Sequence, residues 1–134
     1  MNPKMPPTPF KPKPYTGLSF DEAMAMRKAH LSPGLFLYYK NPIMIVEGKM
    51  QYVFDEKGRR YLDMFGGIVT VSVGHAHPEV VAAADEQMKT ISHTTTIYLN
   101  EVICKYAKEL TDRMPGDLKV CYFVNSGSEA NDLA

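Results

Sequence analysis

The chain has 134 residues, 45% of them apolar and 22% charged, an ordinary globular composition with room for about one domain. Lys plus Arg equals Asp plus Glu at 15 each, so no charge excess invites nucleic acid or an anionic membrane. No apolar run approaches the roughly 20 residues that span a bilayer. The two cysteines, Cys104 and Cys121, lack Cys-x-x-Cys spacing and read as reduced core residues, which makes a reducing, intracellular compartment the default.

Six of the ten prolines (Pro3, Pro6, Pro7, Pro9, Pro12 and Pro14) fall within residues 1–18. Proline has no N–H to donate and fixes φ, so this stretch is expected to be an extended arm rather than a packed element. It has neither the apolar core of a secretory signal nor the arginines of a mitochondrial presequence. Ser19-Phe-Asp-Glu22 fits a capping box. Phe20, Ala23, Met24 and Leu31 follow at roughly helical spacing, and Pro33-Gly34 ends that helix.

Ile43–Val46 then leads through Glu47-Gly48-Lys49 into Met50–Phe54, where Met50, Tyr52 and Phe54 alternate with Gln51 and Val53. This predicts a hairpin turning at 47–49. Asp55-Glu-Lys-Gly58 makes a second turn, and Arg60–Asp63 returns as a third strand. The result is a small antiparallel sheet, whose alternation by itself encodes only burial.

A glycine-containing stretch, residues 65–74, leads to His75-Ala-His77-Pro78. Pro78 suits the first turn of a helix, and Val80, Val81, Ala84, Met88 and Ile91 share one helical face. Ser92–Thr96 breaks the pattern. Ile103, Tyr106, Ala107, Leu110 and Met114 mark another amphipathic helix, closed by Pro115-Gly116. Lys119–Val124 is a short, nearly continuous apolar run, as expected of a strand buried on both faces.

Asn125-Ser-Gly-Ser-Glu-Ala-Asn-Asp-Leu-Ala134 follows that run directly. Ser126-x-x-Glu129 is a second capping box, so a helix begins here. A strand, a small-residue turn and a helix aim several free N–H groups at one spot. Gly127 lets a ligand approach the backbone, and Ser128 offers an N–H and a hydroxyl. The local pattern fits a phosphate site, but by itself it fits a plain capped turn with nothing bound somewhat better. It has neither the Gly-x-Gly-x-x-Gly spacing of a dinucleotide site nor the Lys-Ser/Thr ending of a P-loop.

Two stretches together carry a resemblance. Tyr61-Leu-Asp-Met-Phe-Gly-Gly-Ile-Val-Thr-Val-Ser-Val-Gly-His-Ala-His-Pro78 resembles the N-terminal signature of class III pyridoxal-phosphate-dependent aminotransferases. Phe123-Val-Asn-Ser-Gly-Ser-Glu-Ala-Asn-Asp-Leu-Ala134 resembles their cofactor-phosphate turn, in matching order and spacing. The resemblance covers about residues 15–134. It implies an α/β protein of the fold type I transferase class, represented here by the small N-terminal α+β segment with its antiparallel sheet and by the start of a large αβα domain. On that reading residues 1–18 are the proline-rich arm, 19–92 the small-domain part and 93–134 the beginning of the large domain.

The same resemblance implies pyridoxal 5'-phosphate as cofactor, with Gly127 and Ser128 cradling its phosphate and Ser126 beside them. It places Ile68, Val69 and Thr70 at the substrate pocket. It further implies transfer of an amino group from an amino acid such as alanine to a keto acid such as glyoxylate, a homodimer with sites at the subunit interface, and a mitochondrial location, with the cytoplasm as the alternative. In such enzymes the Schiff-base lysine and the acidic partner of the ring nitrogen follow the phosphate turn. No lysine here matches, so no catalytic residue is assigned and this stretch of chain alone is expected to be inactive. Another class III transaminase, a phospholyase or a non-catalytic phosphate-binding module remain alternatives.

His75-x-His77 could be a metal pair, but it abuts Pro78 and no third ligand is evident. Helix capping or hydrogen bonding near the pocket is the simpler expectation, and no metal is assigned. His93 lies in a polar loop without an obvious partner. Asp63 is expected to cap or brace the glycine turn rather than to act in catalysis.

Overall fold

The computed structural model describes residues 4–134, which divide into two compact units, up to Gln87 and from Met88 onward. In the first unit, α1 (Phe20–His30) is opened by the expected capping box. Ser19 Oγ accepts from the Glu22 amide at 3.3 Å, and the Glu22 carboxylate accepts from the Ser19 amide at 2.8 Å. The Ser19 hydroxyl, which donates to the Glu22 carboxylate at 2.6 Å, and then the Ser19 amide hold the Glu22 carboxyl below its ordinary range. The helix stops at His30, with Leu31 already extended, and it does not resume because Pro33 biases Ser32 away from helical ψ.

Strands β1 (Ile45–Lys49), β2 (Tyr52–Asp55) and β3 (Arg60–Leu62) form an antiparallel sheet in that order. Ile45 pairs with Asp55 and Lys49 with Tyr52, across an irregularity between Ile45 and Glu47. Val53 pairs with Tyr61 in the second ladder. The alternation read from the sequence holds, since Tyr52 and Phe54 are the buried apolar side chains of the described residues.

The hairpin turn, however, is not at Glu47-Gly48-Lys49. These residues belong to β1, and the chain reverses at Met50-Gln51, with Met50 at φ 52°. Gly48 serves close packing instead. A Cβ there would lie 2.8 Å from the Cβ and Cγ of His75.

The arm's first three residues lie outside the described ones; from residue 4 onward it is extended, as expected, but it is also packed. Phe10 lies against Phe54 with ring centroids 5.5 Å apart, and Tyr52 donates its hydroxyl to the Pro6 carbonyl at 2.8 Å. The Lys13 amide donates to Glu47 at 2.9 Å. Thr8, Phe10 and Pro12 are half-buried while the residues between them are exposed, the two-residue period of an extended chain lying on a surface. Proline prevents this segment from joining the sheet as a strand but not from shielding the hairpin's aromatic face.

Asp55 is buried with Tyr52 and Phe54 and is the buried charged side chain of the described residues. Its Oδ1 accepts from the amides of Lys57 and Arg59 at 3.0 and 2.9 Å, and its Oδ2 accepts from Arg59 Nε at 2.6 Å and the Tyr61 hydroxyl at 2.8 Å. A buried carboxylate is costly unless paired and hydrogen-bonded, and here the β2–β3 turn wraps around it.

After the sheet come a short helical turn, α2 (Gly66–Val69), and α3 (Pro78–Thr90), which Pro78 opens as its sequence position predicts. In the second unit, Asn100 caps α4 (Glu101–Thr111) by accepting from the Val102 amide at 2.9 Å. The final helix is α5 (Gly127–Leu133). The apolar run Lys119–Val124 is not a strand and is not buried on both faces. Its residues lie along α4 on one side. Phe123 stacks on Tyr106 at 5.4 Å, and the Cys121 thiol donates to the Ala107 carbonyl at 3.7 Å. Val120, by contrast, is 91% exposed. A doubly buried strand needs neighbours to pair with, and no strand among the described residues supplies a ladder. Both cysteines are free. No helix of the described residues is long and apolar enough to cross a membrane.

Candidate functional site

The glycine stretch expected to line a pocket folds into an uncommon shape. Gly66, Gly67, Ile68 and Val69 all have positive φ, from 57° to 61°, so the turn winds left-handed. The left-handed region costs an L-residue roughly 1–2 kcal/mol, and β-branched Ile68 and Val69 are poor candidates for it. The two glycines let the turn begin, and hydrogen bonds close it. Thr70 and Val71 both donate their amides to the Gly66 carbonyl, at 2.8 and 2.9 Å, and the Thr70 hydroxyl donates to the Gly67 carbonyl at 2.6 Å. Ile68 and Val69 are consequently presented outward, 72% and 86% exposed.

Asp63 fixes the entrance of this turn. Its Oδ1 accepts from the amides of Phe65 and Gly66, both at 2.9 Å, and its Oδ2 lies 2.6 Å from His75 Nε2. With the carboxylate ionised, the ring nitrogen is the donor. The His75 bond, followed by the Gly66 and Phe65 amides, holds the Asp63 carboxyl below its ordinary range. Asp63 therefore braces the glycine turn, as its sequence position suggested. His75 in turn exchanges two backbone hydrogen bonds with Met50, at 2.7 and 2.8 Å. Gly74, at φ 100°, lies so close to Met50 that a Cβ would sit 2.8 Å from its Cα. A surface cavity lined by Met50, Gln51, Asp63, Gly66, Val71 and His75 opens beside this cluster.

His77 does not share His75's role. Its carbonyl accepts from the Val81 amide at 2.9 Å as α3 begins, and its Nδ1 is buried without a hydrogen-bond partner among the described residues. No group of His, Cys, Asp or Glu among the described residues has the arrangement of a metal site.

The second candidate element is the start of α5. Ser126 is the N-cap: its Oγ accepts from the Glu129 amide at 3.2 Å and donates to the Glu129 carboxylate at 3.0 Å. That carboxylate also accepts from the Asn125 amide at 2.9 Å. The Ser126 hydroxyl is thus committed to the cap. Gly127 and Ser128 occupy the first helical positions, where amides have no intrahelical acceptor. The space where a Gly127 side chain would stand is empty to 4 Å, so a ligand could reach the backbone. Ile68, Val69 and Thr70 belong to the first unit and Ser126, Gly127 and Ser128 to the second.

The sequence indicated Asp63 as a brace but did not couple it to His75, and it marked Asp55 only as the first residue of a turn. The available signal was the Asx-turn pattern of an Asp followed by Lys57, Gly58 and Arg59.

Comparison with known proteins settles the class. The aminotransferase class-III family model matches residues 38–134, and the chain belongs to that family. Over 98% of its length it is 51% identical to alanine–glyoxylate aminotransferase 2 homolog 2, mitochondrial, of Arabidopsis thaliana, covering 28% of that protein. Among solved structures it superposes on an (S)-enantioselective ω-transaminase from Thermomicrobium roseum with TM-score 0.75 at 31% identity, over 89% of this chain and 28% of that one. It superposes on an Arthrobacter phospholyase in complex with phosphoethanolamine with TM-score 0.74 at 35% identity, over 83% and 26%. The chain spans about a quarter of the length of the curated relatives it matches. Its fold is that of the corresponding part of class III transaminases, and membership of the family implies pyridoxal phosphate as cofactor.

Proposed function

We propose that the full-length protein is a pyridoxal-phosphate-dependent aminotransferase that moves an amino group from an amino acid such as alanine to a keto acid such as glyoxylate, as a homodimer in mitochondria. The observation that carries the reading is the Ser126-capped start of α5. Its open Gly127 flank and free first-turn amides sit in a chain of the class III family. The name of the Arabidopsis relative supports the substrates and the location. The large exposed apolar side chains, Phe36, Tyr38, Leu99 and Val120 among them, support a longer protein in which further chain or a second subunit covers them.

In this reading the amides of Gly127 and Ser128 and the Ser128 hydroxyl bind the phosphate, helped by the positive end of the helix dipole. Ser126 holds those amides in place through its cap. Residues 19–92 belong to the small domain and 93–134 begin the large one. Ile68, Val69 and Thr70 form an apolar lip with one hydroxyl against which a small amino acid packs. When bound, the cofactor supplies an electron sink for charge developing at the substrate's α-carbon.

The experiment is to purify the full-length protein, load it with pyridoxal phosphate and follow pyruvate and glycine formation from alanine and glyoxylate. Formation of both at equal rates supports the reading, and a loaded protein that makes neither overturns these substrates. A second reading is favoured by the phospholyase neighbour: release of inorganic phosphate from phosphoethanolamine, without transamination, would select it.

A further inference from the structure

We propose that Asp63 and His75 are a pair of positioning residues: together they hold the left-handed Gly66–Val69 turn and so fix the placement of Ile68, Val69 and Thr70 against the substrate. The proposal rests on the reading above that this turn lines the substrate pocket.

The argument follows the chain of contacts outward from the hairpin. His75 is anchored twice through its backbone to Met50, at the β1–β2 reversal. Its ring has a defined seat, because Gly48 leaves room that any side chain would fill. From that seat Nε2 reaches Asp63 Oδ2 at 2.6 Å. The Asp63 backbone is tied as well, its amide donating to the Gln51 carbonyl at 2.9 Å. A carboxylate held at one oxygen by a fixed ring has little freedom to rotate, so the other oxygen stays aimed at the Phe65 and Gly66 amides. Those two amides open the turn.

Inside the turn, the two glycines accept positive φ and the hydrogen bonds to the Gly66 and Gly67 carbonyls close it, but Ile68 and Val69 disfavour that backbone. A strained segment of this kind persists only where its surroundings over-determine it. The pair supplies that constraint from outside the turn, leaving its exposed side chains for recognition. Neither Asp63 nor His75 needs to touch substrate.

The test uses the full-length holoenzyme with His75→Ala, His75→Gln and Asp63→Asn. The glutamine amide in His75→Gln would keep a side-chain N–H donor near the position of Nε2. Peptide-resolved hydrogen exchange reports on residues 64–71 and, as a control, on 52–55. Kinetics with alanine report KM and kcat separately. In His75→Ala, exchange over 64–71 is expected to accelerate about tenfold with 52–55 unchanged, which reads local opening rather than unfolding. KM for alanine is expected to rise about tenfold with kcat within about twofold, the signature of lost substrate binding rather than lost chemistry. Asp63→Asn moves both readouts in the same direction, and His75→Gln restores most of each.

Equal acceleration over 52–55, an unchanged KM beside an opened turn, or His75→Gln behaving like His75→Ala would each overturn the proposal. If His75→Ala does not fold, Asp63→Asn against His75→Gln decides it by the same criteria. A wild-type protein that binds the cofactor but transaminates nothing overturns the pocket reading instead. The exchange comparison then still decides whether the pair holds the turn.

Discussion

The Tyr61 hydroxyl donates to Oδ2 of Asp55 at 2.8 Å across the β2–β3 turn, so a phenol and a guanidinium share one buried carboxylate oxygen. Burial pushes the Asp55 carboxyl up. The hydrogen bonds from Tyr61, the Arg59 backbone and side chain and the Lys57 amide outweigh it and hold the group at about 2. The same contact raises the Tyr61 hydroxyl above its usual range.

A group with a depressed folded pKa stabilises the protein above its unfolded value and loses that contribution as pH falls through the folded value. For Asp55 the window runs from its ordinary 3.8 down to about 2. Denaturant unfolding of the full-length protein at about pH 5 and about pH 3 should show wild type losing more stability than Asp55→Asn, which has no carboxylate to protonate. Equal losses in the two proteins would refute the assignment.

Tyr61→Phe removes one donor from Asp55 and leaves the others in place. We expect a loss of about 1.5–3 kcal/mol, the range for a hydrogen bond to a charged group. An NMR titration should also show the Asp55 carboxyl moving up toward its ordinary range. A variant as stable as wild type, with Asp55 unmoved, would show that Arg59 and the turn amides suffice.

Phe10→Ala strips the ring that covers Phe54. Phe10 is only half-buried, so the expected cost is about 1–2 kcal/mol, below that of a core phenylalanine. The more direct readout is proteolysis, in which cleavage within residues 4–14 should become faster. Unchanged cleavage would mean that the Tyr52–Pro6 and Lys13–Glu47 bonds hold the arm without the aromatic contact.

Gly127→Val separates a phosphate anchor from a plain capped turn. The added Cβ meets nothing within 4 Å, so apo-protein stability should change by less than about 1 kcal/mol. The branched side chain would nevertheless crowd an anion approaching the first-turn amides. Loss of one or two charge-assisted bonds corresponds to a ten- to hundredfold weaker Kd, roughly. Titration of the full-length protein with pyridoxal phosphate measures it, and an unchanged Kd would remove Gly127 from the phosphate site. Ser126→Ala should cost about 1 kcal/mol of α5 stability through its cap.

What was legible in the sequence was local. Ser19 with Glu22, and Ser126 with Glu129, announce helix starts because the serine oxygen satisfies the amide three residues on while the carboxylate reaches back, to the Ser19 amide in the first case and to the Asn125 amide in the second. Tyr52 and Phe54 announce a buried strand face by their period. The readings that missed depended on contacts distant in sequence. Gly48 looks like a turn residue until the His75 ring is placed against it. Ile68 and Val69 sit in a stretch read only as glycine-containing, and the Asp63–His75 bond and the Gly66 carbonyl are what account for their left-handed backbone. Lys119–Val124 reads as a doubly buried strand, yet pairing belongs to neighbours and not to the segment itself. The candidate phosphate turn was visible as a pattern, while its specific chemistry came from the family resemblance.

The segment Val120-Cys-Tyr-Phe-Val124 carries β-branched and aromatic side chains, no charge and no proline, and its backbone joins no sheet among the described residues. Short segments of that composition are prone to cross-β stacking. Any interval in which this stretch waits for its own neighbours, on the ribosome or after release from it, is therefore an interval in which strangers can pair with it.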